Sequence, residues 1–266
     1  MEKDSALFPS IPVSTVRAAR ALYGSGNLYL RLGDRLNHLV SKFHPGIVAG
    51  HLQEEKAALF TLLTIIQYVE KLTDTELADA IERRMDLRYA LHLATPNHRV
   101  EPNSLCGFRT KVFTDLQYHT LFMEMFKRIY PELTPTAATE EPDSETILAS
   151  ICESEIRSSL REAMLSAMEA LSASHFSWLR GIALPHWYQR YNRSLIVNNL
   201  DGSIRKQELT QADIKADIQH LLDEIRRSNS SEIMDMYEIK KLMFIWRQLS
   251  ASASMKNCNQ CIHKIH

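Results

Sequence analysis

A chain of 266 residues can bury one large core or two modest ones, and its 8 glycines, far below the roughly 7% of average usage, disfavour a turn-rich β architecture. A formal net charge of -1 excludes a protein held on nucleic acid by bulk electrostatics, so any such surface must be local, with basic side chains gathered on one face. Met1-Glu2-Lys3-Asp4 is not a secretory leader, and the apolar run Ala57 to Val69 is shorter than the about 20 residues that a membrane span needs. A cytoplasmic protein with no membrane partner is therefore expected, and Cys106, Cys152, Cys258 and Cys261 are too irregularly placed to imply a disulfide framework.

Along the chain, residues 1–25 hold two prolines, a Gly24-Ser25-Gly26 breaker and no clear period, and read as a flexible arm. Leu28, Leu32, Leu36 and Leu39 recur at helical spacing, and Pro45-Gly46 interrupts that pattern. A helix over about Glu54 to Leu72 is apolar around most of its circumference, which marks it as the central buried element. Thr73 and Glu76 have capping-box spacing and start another helix, followed by a turn at Met85-Asp86 and a short helix over Leu87 to Leu91. Thr95 to Pro102 is a loop because its two prolines and the residues before them resist helix; Asn103 or Ser104 caps the next helix, and another runs from Leu116 to Tyr130.

Pro131 to Glu145 is rich in Pro and acid and has no Lys or Arg, so a linker is placed at 133–143, between helical blocks at 26–132 and 144–249. The second block opens with a long helix, Ser144 to Ala173. It continues through an aromatic segment around Trp178 and a possible hairpin about Asp201-Gly202, and closes with helices at Gln211 to Arg227 and Ser231 to Leu249. The fold expected is all-α.

Several strings in this plan occur together: Gln67-Tyr68-Val69-Glu70-Lys71-Leu72-Thr73-Asp74, the basic pair Arg83-Arg84, Asp86-Leu87-Arg88-Tyr89-Ala90-Leu91, and Ser104-Leu105-Cys106-Gly107-Phe108-Arg109. Their order and separations resemble the N-terminal, InsH-type helical region of DDE-type insertion-sequence transposases. Ser159-Leu160-Arg161-Glu162-Ala163, Trp178-Leu179-Arg180, Trp187-Tyr188-Gln189-Arg190-Tyr191 and Leu242-Met243-Phe244-Ile245-Trp246 extend the likeness into the second block. The resemblance implies a first block built as an elaborated helix-turn-helix that reads terminal inverted repeats. In that family an RNase H-like domain carrying Asp, Asp and Glu metal ligands follows; here residues 250–266 form a short tail instead, and no catalytic residue is expected.

Arg83, Arg84, Arg88, Arg99, Arg109 and Lys111 are the candidate DNA-binding residues, since guanidinium forks match phosphate oxygens and the O6/N7 edge of guanine. The competing reading makes them ordinary charges paired with Glu76, Glu82 and Asp86. Cys258, Cys261, His263 and His266 group four soft or borderline ligands, but no loop separates the pairs to fold around zinc, so a nonhomologous tail with no metal is expected. The histidines fall in no nucleophile, base and orienter pattern. Trp178, Trp187, Tyr188, Tyr191 and Trp246 read as core rather than as base-stacking platforms, since aromatics bury large areas.

The expected function is therefore the DNA-binding and assembly portion of a transposase, not an enzyme by itself, with duplex element ends, transposase subunits or a second copy as partners and no cofactor or small-molecule substrate. The alternatives are a helical protein-interaction module that regulates intact transposase, a decaying fragment, or, more weakly, an enzyme with an unfamiliar helical active site.

Overall fold

The computed structural model describes residues 7–41, 54–94, 100–135, 142–191 and 209–251. Among them are 13 helices and no strand, so the protein is all-α. The contacts divide the chain into two compact units, one up to Ile151 and one from Cys152, a division that falls inside the helix Ser144–Ser174. The acidic segment expected as a linker precedes that helix, and its residues 136–141 lie outside the described set.

The first unit holds α1 (Val13–Leu22), α2 (Leu28–Val40), α3 (Glu54–Glu70), α4 (Asp74–Arg83), α5 (Met85–Ala90), α6 (Pro102–Thr114), α7 (Leu116–Leu133) and the start of α8 (Ser144–Ser174). The central helix is α3. Leu62, Leu63, Ile65 and Ile66 are wholly buried, and Ala57, Ala58, Thr61, Thr64 and Gln67 are buried on its other sides. A helix without a solvent face becomes the element that others cover, and α4, α6 and α7 all pack on α3. Its buried threonines bond back one turn, Thr61 to the Ala57 carbonyl at 2.9 Å and Thr64 to Phe60 at 2.8 Å, so neither hydroxyl is stranded.

The capping box forms as the sequence predicts: Thr73 Oγ1 accepts from the Glu76 N–H at 3.2 Å, and Glu76 Oε2 accepts from the Thr73 N–H at 2.9 Å. Three local expectations are corrected. Residues 13–22, expected within the arm, form α1; Thr15 and Ala19 are its only buried anchors, too few to show a period, and the Thr15 hydroxyl donates to the Leu93 carbonyl at 2.8 Å. Helix α6 starts earlier than a cap at Asn103 or Ser104 would allow, because Pro102 takes a first-turn position where its missing N–H costs nothing. Helix α7 runs through Pro131 to bury Leu133 in the core.

The close approach of α2 to α5 depends on Gly33, where an added Cβ would lie 2.6 Å from Tyr89 Cδ1 and 2.8 Å from the Tyr89 carbonyl oxygen.

The second unit holds the rest of α8, then α9 (Phe176–Ile182), α10 (Trp187–Arg190), α11 (Gln211–Ser228), α12 (Ser231–Asp235) and α13 (Tyr237–Ala251). Leu160, Met164, Leu171, Trp187, Ile214, Ile218, Leu221, Ile239 and Leu242 form its core. Trp187 and Tyr191 are buried as expected, whereas Tyr188 is 70% exposed. The single helix expected over 231–249 is broken at Met236, which is extended. The break re-phases the segment: at 3.6 residues per turn, an unbroken helix would set Ile233 half a turn away from Leu242, yet both are buried. The possible hairpin about Asp201-Gly202 lies outside the described residues.

Asp217 on α11 ties the second unit's polar side together. It faces His186 Nε2 at 3.1 Å and accepts from Arg190 Nη1 at 2.8 Å and the Tyr191 hydroxyl at 2.9 Å. Burial works against its charge, but the hydrogen bonds from Arg190 and His186 outweigh it and hold the carboxyl below the usual carboxylate range.

Candidate nucleic-acid interface

Of the six predicted basic residues, the five among the described residues do not share a surface. Arg109 on α6 is buried, its side chain 1% exposed, and its fork closes on Asp74 at the start of α4, with Nη1 to Oδ1 at 2.6 Å and Nη2 to Oδ2 at 2.7 Å. Gln67 on α3 completes the triad, accepting from Arg109 at 3.1 Å and donating to Asp74 at 2.7 Å. Three helices are thereby joined at one buried point.

Arg84, between α4 and α5, is half-buried and bridges two acids. It donates to Glu70 at 2.6 Å and to Asp86 at 3.2 and 3.0 Å, and its guanidinium carbon lies 5.2 Å from the centre of the Tyr29 ring. Burial opposes its charge, but the bonds to Asp86 and Glu70 prevail and hold the proton more firmly than usual. The Tyr29 hydroxyl donates to Glu70, and its acidity is weakened by burial first and by the Glu70 charge second. Asp86 also accepts from the Leu87 N–H at 3.0 Å.

Arg88 is buried and occupies the carboxyl end of α4. It donates to the carbonyls of Ile81 at 2.7 Å, Glu82 at 3.3 Å and Ala94 at 3.2 Å. The last carbonyls of a helix lack intrahelical partners, and here one guanidinium supplies them. Tyr89 next to it donates to Asp34 at 2.5 Å, and Arg20 reaches both.

Arg84, Arg88 and Arg109 are thus corrected from phosphate ligands to internal cross-links, because their donors are directed at protein acceptors. Arg83 and Lys111 remain at the surface. Arg83 pairs with Asp79 at 3.4 Å with both side chains more than half exposed, a pair of little energetic weight. Lys111 Nζ lies 5.2 Å from the centre of the Tyr118 ring. Arg99 lies outside the described residues, as do Cys258, Cys261, His263 and His266; among the described residues no cluster of ligands suited to a metal occurs.

The acids that engage these arginines are Glu70, Asp74, Asp79 and Asp86. Of the partners expected from sequence, Asp86 engages Arg84 through its carboxylate, while Glu76 Oε2 serves the Thr73 cap. A usable signal was present: Glu70 and Asp74 belong to the Gln67–Asp74 string and Asp86 follows Arg84 by two residues, so the acids belong to the same set of strings as the arginines they engage.

No family model matches this chain, and no curated protein or solved structure matches it. Among the described residues no helix is long and apolar enough to cross a membrane.

Proposed function

We propose that this chain is the helical recognition and assembly portion of an insertion-sequence transposase, cytoplasmic, acting on duplex element ends together with transposase subunits, and silent as a nuclease on its own. The observation that carries this reading is the connection of the resembling strings in space. Gln67, Asp74 and Arg109 form one cross-link; Glu70, Arg84 and Asp86 form a second; Thr73 and Glu76 cap the helix between them. Residues scattered over more than forty positions meet in space and hold α3 to α6 in one arrangement, as a family's fold signature would.

On this reading α4 to α6 serve as the helix-turn-helix-like element. Their contact with phosphate rests on Arg83, Lys111 and Arg99, not on the buried arginines. A second reading, a protein-interaction module that joins intact transposase, is favoured by the inward donors of Arg84, Arg88 and Arg109 and by the net charge of -1.

A fluorescence-anisotropy titration against a terminal-repeat duplex, over several salt concentrations, separates the two. Each neutralised phosphate contributes about −0.9 to the log–log slope, so Arg83→Ala with Lys111→Ala should flatten it by about two. Absence of duplex binding, with co-elution of intact transposase, favours the interaction module. Cleavage of that duplex dependent on Mg²⁺ or Mn²⁺ would overturn the silent-nuclease part.

A further inference from the structure

Helix α13 carries a surface that the preceding reading does not use. From Tyr237 to Gln248, every exposed side chain is aromatic or basic: Tyr237, Lys240, Lys241, Phe244 and Arg247. Ile239, Leu242 and Ile245 bury the opposite side in the second core. The spacing sets Tyr237 and Phe244 two turns apart on one stripe, about 10 Å along the axis, with the lysines between them and Arg247 one turn beyond. Tyr237 is 73% exposed and Phe244 48%. Lys240 and Lys241 lie in the amino-terminal half of this helix and no basic residue lies in its last turn, so complementing the helix dipole accounts for neither the cations nor the aromatics.

The segment just before a third exposed ring, Phe176, touches the chain at the amino end of this helix. The Ser174 hydroxyl lies 4.0 Å from the Met236 sulfur and His175 Nε2 lies 3.7 Å from Glu232, which brings the chain just before Phe176 against the chain just before Tyr237. Phe176 is itself 55% exposed. The acids beside the stripe are Glu232 and Asp235, both exposed, and the half-buried Glu238 in the first turn of the helix itself; Asp235 engages Lys240 at 2.9 Å, an exposed pair that water and salt weaken. Beyond Ala251 the sequence adds Lys256 and Lys264 and no acid.

We propose that this stripe binds single-stranded nucleic acid, with bases stacked on Tyr237, Phe244 and Phe176 and phosphates held by Lys241, Arg247 and Lys240. Aromatic rings offer every base a stacking partner regardless of sequence, and interleaved cations track the backbone. A duplex keeps the faces of its bases in its own stack and leaves these rings without a partner. A protein groove would favour aliphatic anchors at the third and fourth positions, where this helix has Lys240 and Lys241, and lysine is depleted from interface cores. The inference does not rest on the transposase reading.

The test is anisotropy of labelled oligothymidylate with the full chain, run beside its duplex with oligoadenylate and beside anionic phospholipid vesicles. The single strand should bind more tightly than the duplex. Phe244→Ala and Tyr237→Ala should each weaken it by about 5- to 150-fold, the range for loss of one stacked base, and Phe244→Trp should retain it. Lys241→Ala with Arg247→Ala should flatten the salt slope by about 1.4, at about −0.7 per phosphate of a single strand. Circular dichroism checks that these exposed substitutions leave the fold intact. Equal binding by Phe244→Ala and wild type, equal affinity for duplex, or binding to vesicles but not to the single strand would each overturn the proposal. Failure on the terminal-repeat duplex is read with Arg83→Ala and Lys111→Ala and failure here with Phe244→Ala and Tyr237→Ala, so the two are separate results.

Discussion

Replacing Arg109 by Met keeps most of the side chain's volume and removes its charge. The side chain is 1% exposed and Asp74 8%, so the substitution strands a carboxylate where water cannot reach it freely. Removing one partner of a buried ion pair costs about 3–5 kcal/mol. Asp74 keeps the Gln67 amide at 2.7 Å and its place at the amino end of α4, where the helix dipole favours an anion, so the lower end, about 3 kcal/mol, is expected. That is a large share of the 5–15 kcal/mol by which a domain is ordinarily stable. Urea denaturation followed by circular dichroism measures it. Adding Asp74→Leu to Arg109→Met should recover a substantial part of the loss, since an apolar pair leaves no buried charge. A stability change under about 1 kcal/mol for Arg109→Met, together with lost duplex binding, would refute the assignment of Arg109 as a cross-link and restore it as a DNA ligand.

Gly33→Ala should lower stability by about 1–3 kcal/mol, because its Cβ meets the Tyr89 backbone as well as its ring; a melting temperature equal to wild type would show that α2 and α5 separate without cost. Thr73→Ala should cost about 1 kcal/mol in denaturant titration, with Thr73→Ser close to wild type, since the hydroxyl supplies the cap. Asp217 has a lowered pKa in the folded chain, so it binds fewer protons folded than unfolded. The stability it contributes is present above the ordinary carboxylate range and is lost as pH falls through that range toward the folded value. Asp217→Asn should therefore be less stable at neutral pH and show a flatter acid limb; an unchanged limb in urea midpoints taken down to about pH 3 counts against the Arg190 and His186 contacts.

Helix identity was legible wherever the cause is local. The apolar circumference of α3, the Thr73 capping box and the leucine period of α2 each require only neighbours within one or two turns, and each is present in the structure. The break at Met236 and the helix at 13–22 were not legible. The first is set by which way Ile233 and Leu242 must face in a shared core, and the second by a few anchors on residues far along the chain, such as Thr15 on Leu93.

The direction of the arginines is the clearest case of what only tertiary structure decides. Arg83 pairs four residues back along its own helix and stays exposed, an outcome that helical spacing alone can suggest. Arg109 reaches Asp74, 35 positions away, and Arg84 reaches Glu70, 14 positions away. A guanidinium in sequence is equally suited to phosphate, to carboxylate or to backbone carbonyls. Which of them it meets is settled by the packing of α3, α4 and α6, and once water is excluded there the charge has to be satisfied by whatever acceptors that packing delivers.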